Sequence, residues 1–72
     1  MNFDYSRLCG RIVEMCGTQA VFAKRMGLSE RSLSLKLNNK TPWKQIEMQN
    51  AATILGFPEI EIPKYFFTLK VQ

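Results

Sequence analysis

Apolar residues recur at three- and four-residue spacings along most of the chain, in short blocks separated by glycine, proline or asparagine. That is the period of amphipathic helices, and the closeness of the breakers limits each helix to a few turns. A first helix is predicted from Tyr5 to about Cys16. Leu8, Ile12 and Met15 share one face, Cys9 and Cys16 border it, and Arg7, Arg11 and Glu14 face water. Asp4 is placed to cap this helix, and Phe3 to staple onto Leu8. Gly10 lowers its helix propensity by about 1 kcal/mol relative to Ala and implies the close approach of another helix. Gly17 is a left-handed stop, and Thr18 caps the next helix.

This short second helix runs over 19–26, with Phe22 and Ala23 inward and Met26 at its end. Gly27 stops it, and Ser29 caps a third helix over 30–38. Leu28 is placed to staple onto Leu33. Leu33 and Leu37 form the inner stripe of helix three, Arg31, Ser34, Leu35 and Asn38 lie opposite, and Glu30 and Lys36 flank it. Asn39 tolerates the left-handed conformation that closes the helix. Thr41-Pro42 predicts the cap and first residue of a fourth helix, which ends at Leu55 before Gly56 and carries a core stripe of Met48, Ala51, Ala52 and Leu55. Pro58 and Pro63 permit one or two helical turns, and residues 65–71 are aromatic and β-branched enough for a final strand or extended arm. The expectation is an all-α single domain over 1–72, with four or five helices and a C-terminal tail over 57–72.

Length adds a constraint. Domains near 72 residues bury only about 60% of their unfolded surface, so stability is marginal without a staple or a partner. Cys9 and Cys16, if both helical, lie roughly 10 Å apart along the axis and cannot bridge. With no His in the chain, two thiols alone do not complete a zinc site, so no metal or cofactor is expected. Unpaired thiols suit a reducing cytosol, and neither a membrane span nor a signal peptide is expected. The net charge of +4 is unevenly placed: residues 1–44 hold eight of the ten Lys and Arg and three of the six acids, whereas residues 45–72 carry Lys64 and Lys70 against Glu47, Glu59 and Glu61. That split implies one face suited to a polyanion and a second face for another partner.

The segment 19–38 carries the most specific pattern. Thr18-Gln19, Ala23, Gly27-Leu28-Ser29 and Leu33 are the small, turn, capping and core positions of a tight helix-turn-helix, whose third-helix polar side is free to enter a major groove about 12 Å wide. This spacing resembles the helix-turn-helix of phage Cro and CI repressors. The ending Lys64-Tyr65-Phe66-Phe67 with Leu69-Lys70-Val71-Gln72 looks like that of small Cro-type regulators of temperate phages of Gram-positive hosts, a group that includes modulators of repression. Lys36 departs from the family pattern, in which an apolar residue is common there, and Leu37 supplies the anchor one step later.

The resemblance implies a lambda-repressor-like domain with base contacts from Ser29, Glu30, Arg31, Ser34 and Leu35 and phosphate contacts from Gln19, Asn38, Lys40 and Lys44. Glu30 either accepts from cytosine or orients Arg31. Tyr65, Phe66 and Phe67 are expected to form a partner or dimer surface, with intramolecular packing under helix one as the alternative. Trp43 reads as half-buried packing at the start of helix four. The function implied is a sequence-specific DNA-binding repressor of a lysogeny switch, binding a double-stranded operator as a homodimer or heteromer. The alternative is a protein-binding modulator that sequesters a co-encoded CI-type repressor. No nucleophile–base pair or glycine-rich phosphate loop suggests an enzyme or a small-molecule substrate.

Overall fold

The computed structural model describes residues 2–71 and contains five α-helices: α1 (Ser6–Cys16), α2 (Gln19–Met26), α3 (Glu30–Leu37), α4 (Gln45–Leu55) and α5 (Ile62–Phe66), the last preceded by a 3-10 turn over Glu59–Glu61. None is long enough to be stable alone, so packing of their apolar faces holds them. Leu8 and Ile12 of α1, Phe22 and Ala23 of α2, Leu33 of α3, and Ala51, Ala52 and Leu55 of α4 meet in one core. Helix α1 packs on α2, α4 and α5, and α2 packs on α3 and α4. No helix among the described residues is long and apolar enough to cross a membrane. Both cysteines are unpaired.

The breakers act as their chemistry requires. Gly27, Asn39 and Gly56 adopt positive φ of 73°, 60° and 72°. In each case the residue after the left-handed one donates back to a carbonyl of the helix's last turn: Leu28 to Ala23 at 2.9 Å, Lys40 to Leu35 at 2.8 Å and Phe57 to Ala52 at 3.0 Å. These are Schellman closures. Asn39 does more than a glycine would. Its side-chain amide accepts from the Phe3 N–H at 2.9 Å and donates to the Phe3 carbonyl at 3.0 Å, which pins residues 2–4 across the molecule.

Several positions differ from expectation. Helix α1 begins at Ser6 with Tyr5 as its N-cap residue, although the Asp4 carboxylate accepts the Ser6 N–H at 2.8 Å. Met15, expected in the core stripe, is exposed. Arg11, expected in water, donates from Nε to the Leu55 carbonyl at 2.9 Å and from a terminal nitrogen to that of Gly56 at 3.3 Å, so it satisfies the end of α4. Gly10 marks no close approach, because a Cβ there would meet nothing within 4 Å.

Helix α4 starts at Gln45, not at Pro42. Lys44 is extended, and the Glu47 carboxylate reaches back to accept its N–H at 2.9 Å. The Pro42 carbonyl, which a helix starting at Pro42 would need, instead accepts from Lys36 Nζ at 3.1 Å. Lys36 is the largest departure, since it is 5% exposed rather than flanking. Its ammonium also pairs with Glu47 Oε1 at 2.9 Å and lies 5.7 Å from the Trp43 ring centroid. Leu33 and Lys36, three apart, therefore define the inner side of α3, and Leu37 is half-buried beside them. The rotation of α3 is set by a charge where an apolar side chain is commoner.

Residues 65–71 do not form one strand. Tyr65 and Phe66 complete α5 and are buried, and the chain is extended only beyond Phe67. There Leu69 forms an isolated antiparallel bridge with Phe3.

Burial raises the Glu47 carboxyl, but the hydrogen bond from Lys36, the Lys44 N–H and the charges of both lysines outweigh it and hold its pKa below the ordinary 4.5. A carboxyl lowered on folding adds stability that is present above its unfolded pKa and lost as pH falls through the folded one. Lys36→Met should cost about 3 kcal/mol in urea unfolding at neutral pH, because it leaves a half-buried carboxylate without its cation. Adding Glu47→Gln, which keeps the cap, should recover most of that loss and flatten the acid limb of the stability profile below about pH 4.5.

Candidate functional site

The surface of α2 and α3 is built by two caps and one turn. Thr18 Oγ1 accepts the Val21 N–H at 3.2 Å, and Ser29 Oγ accepts that of Ser32 at 3.0 Å, each satisfying a first-turn donor. The left-handed Gly27 turns the chain between them. The outer side of α3 then presents Ser29, Glu30, Arg31 and Ser34, all exposed, and Gln19 is exposed at the first turn of α2. Lys40 and Lys44 are exposed in the loop after α3. These seven expected contact residues are all at the surface.

Two others are placed less freely. Leu35 is half-buried. The Asn38 side-chain amide nitrogen is spent on Ser34, donating to its carbonyl at 2.7 Å and its hydroxyl at 3.3 Å. No group of three or more metal-ligating side chains occurs among the described residues.

The tail gives a different surface from the one expected. Tyr65 stacks on Phe57 with centroids 4.2 Å apart, and Phe66 meets the Trp43 edge at 5.0 Å. Both are core residues, because α5 turns them against α1 and α4, and neither offers a partner surface. Phe67 alone of the three is exposed, at 47%.

Phe67 borders an apolar cavity of about 230 Å³ lined also by Phe3, Tyr5, Asn39, Thr41, Pro42, Trp43, Met48 and Phe66. The rings meet edge-on or tilted: Phe3 with Phe67 at 5.8 Å, Phe3 with Tyr5 at 6.3 Å and Tyr5 with Trp43 at 6.5 Å. Met48 and Phe67 also line a second, open groove with Gln45, Gln49, Glu59, Ile62 and Pro63. Among the described residues, the Trp43 indole nitrogen is the buried side-chain donor with no hydrogen-bond partner. Burying such a donor unpaired costs about 1–3 kcal/mol. Trp43 is half-buried packing, as its sequence position implied, but it also walls a hollow that helix periodicity does not reveal. The legible signal was the crowding of aromatics at residues 3–5 and 65–67 around a single tryptophan.

The all-helical fold is that of a small phage regulator of known structure. The chain is similar to the solution structure of the modulator of repression of the temperate bacteriophage TP901-1 from Lactococcus lactis, with 54% identity, a TM-score of 0.83, and coverage of 100% of this chain and 97% of that one. It belongs to the family described as Protein of unknown function (DUF739), whose model matches residues 1–69. No curated protein matches it.

The division between core and surface aromatics is testable. Phe66→Ala should cost about 3–5 kcal/mol in urea unfolding, as for a fully buried ring. Phe67→Ala should cost no more than about 1 kcal/mol, with an unchanged helical circular dichroism spectrum.

Proposed function

We propose that this protein is a modulator of repression that acts by binding a co-encoded CI-type repressor and keeping it from its operator. The observation that carries this reading is the whole-length likeness to a phage modulator of repression at 54% identity. The aromatic hollow gives the reading a physical site. Phe67 offers exposed apolar area at its rim, and the Trp43 ring walls its interior. Binding hot spots concentrate in such aromatic pockets, where water is excluded around a few anchors.

A second reading is favoured by the exposure of Ser29, Glu30, Arg31 and Ser34 along α3, with Gln19 at the start of α2. In it the chain contacts operator DNA directly, the serines, Glu30, Arg31 and Leu35 toward bases and Gln19, Asn38, Lys40 and Lys44 toward phosphates. The occupied Asn38 amide and the half-buried Leu35 weigh against it, and Glu30 is unfavourable near phosphates.

Titration calorimetry with the purified repressor and, separately, with operator DNA separates the two. The modulator reading expects repressor binding that Phe67→Ala weakens about tenfold or more. It also expects only salt-sensitive DNA attraction that vanishes by about 150 mM salt. Operator binding that survives that salt and falls with Arg31→Ala, with no affinity for the repressor, would overturn it.

A further inference from the structure

The C-terminal segment carries an open β-edge whose hydrogen-bonding pattern specifies one register. Around the Phe3–Leu69 bridge, Asp4 N–H donates to the Thr68 carbonyl at 2.7 Å and Lys70 N–H to the Asn2 carbonyl at 3.1 Å. Phe3 and Leu69 are thus a non-hydrogen-bonded antiparallel pair, and their own N–H and C=O groups point to the two outer edges of this ribbon. The Phe3 edge is closed, because the Asn39 amide takes both its N–H and its carbonyl. At the Leu69 edge neither backbone group has a partner among the described residues, and Leu69 is 53% exposed. The residues on either side are exposed as well, including the apolar Val71 and Phe67.

We propose that this edge pairs with the same edge of a second copy of the chain, about a two-fold axis through Leu69. The pattern of bonds already made selects this register. Thr68 C=O and Lys70 N–H are used within the chain, so a new strand can bond only to alternate residues, and Leu69 is the one centred in the extended segment. Centring there lets each Leu69 N–H donate to the other copy's Leu69 carbonyl, which fills both open groups of each chain. Thr68 falls opposite Lys70 of the other copy, and Val71 comes beside the other copy's Phe67. Apolar side chains therefore meet apolar ones, and no like charges lie directly opposite, whereas a two-fold centred on Lys70 would oppose two ammonium groups. Self-complementarity of this kind is what an isologous interface requires. An unprotected edge with a free donor and acceptor is a template for an added strand. A strand of this length buries less than a standard stable interface, so the dimer is weak and concentration-dependent.

The inference stands on the tail's backbone bonding and is independent of the repressor-binding proposal, so it is tested on the chain alone. In a concentration series followed by NMR, exchange of the Leu69 amide with solvent should slow severalfold at high concentration, while the Lys70 amide, bonded within the chain, stays protected throughout. A sample mixing isotope-labelled and unlabelled chains should show an intermolecular contact between the Thr68 and Lys70 α-protons, the close pair of this register. Leu69→Glu places two carboxylates on the axis and should return sedimentation to the monomer mass at every concentration. Leu69→Pro deletes the outward donor and should do the same while leaving the Lys70 amide protected. A monomer mass at all concentrations for the natural chain, or protection of the Leu69 amide only when a different protein is added, would overturn the proposal.

Discussion

One ion pair fixes how α3 sits against the start of α4, and with it the loop that walls the aromatic hollow. Helix α3 packs against α2, and its direct tie to the start of α4 is Lys36, whose ammonium reaches the Glu47 carboxylate at 2.9 Å and the Pro42 carbonyl at 3.1 Å. Taking a lysine out of water is costly unless its donors are met, and here a carboxylate, a carbonyl and the face of Trp43 meet them. Glu47 serves two ends, as counterion to Lys36 and as acceptor for the Lys44 N–H that opens α4. The loop 38–44 is thereby held at both ends and from within. Trp43 and Asn39, which wall the aromatic hollow, lie in that loop.

Much of this fold was readable from local chemistry. Gly17, Thr18, Gly27, Ser29 and Gly56 act where breakers and caps should, because capping depends on a few neighbouring atoms. The core stripe of Phe22, Ala23, Leu33, Ala51, Ala52 and Leu55 follows from helical spacing alone. What stayed hidden depends on contacts far apart in the chain. Nothing near Lys36 announces that Glu47 neutralises it, so periodicity placed it at a flank. Nothing near Arg11 announces the end of α4. Thr41-Pro42 has the composition of a helix start, but the Pro42 carbonyl is taken by Lys36 and the start moves to Gln45.

The tail misleads for a related reason. Tyr65-Phe66-Phe67 has the composition of a strand, yet the turn after Pro63 is helical and carries Tyr65 and Phe66 into the core, leaving Phe67 outside. An aromatic run that looked like one partner surface is divided between the core and the rim of the hollow. The same folding back brings Leu69 beside Phe3. Short length is thus offset by closing the chain on itself, with Asn39 clamping the N-terminal residues to the end of α3. The candidate base-contact residues lie along α3 and at its cap, and most are exposed.

On the proposed reading, the hollow walled by Trp43, and not the outer side of α3, receives the regulatory partner. The most direct measurement is the NMR spectrum of the chain titrated with a co-encoded repressor. A repressor seated in the hollow should shift the Trp43 indole N–H signal, with the Phe67 ring signals moving in step. Large shifts confined to Arg31, Ser34 and their neighbours on α3, with the Trp43 indole and Phe67 ring unmoved, would overturn that reading.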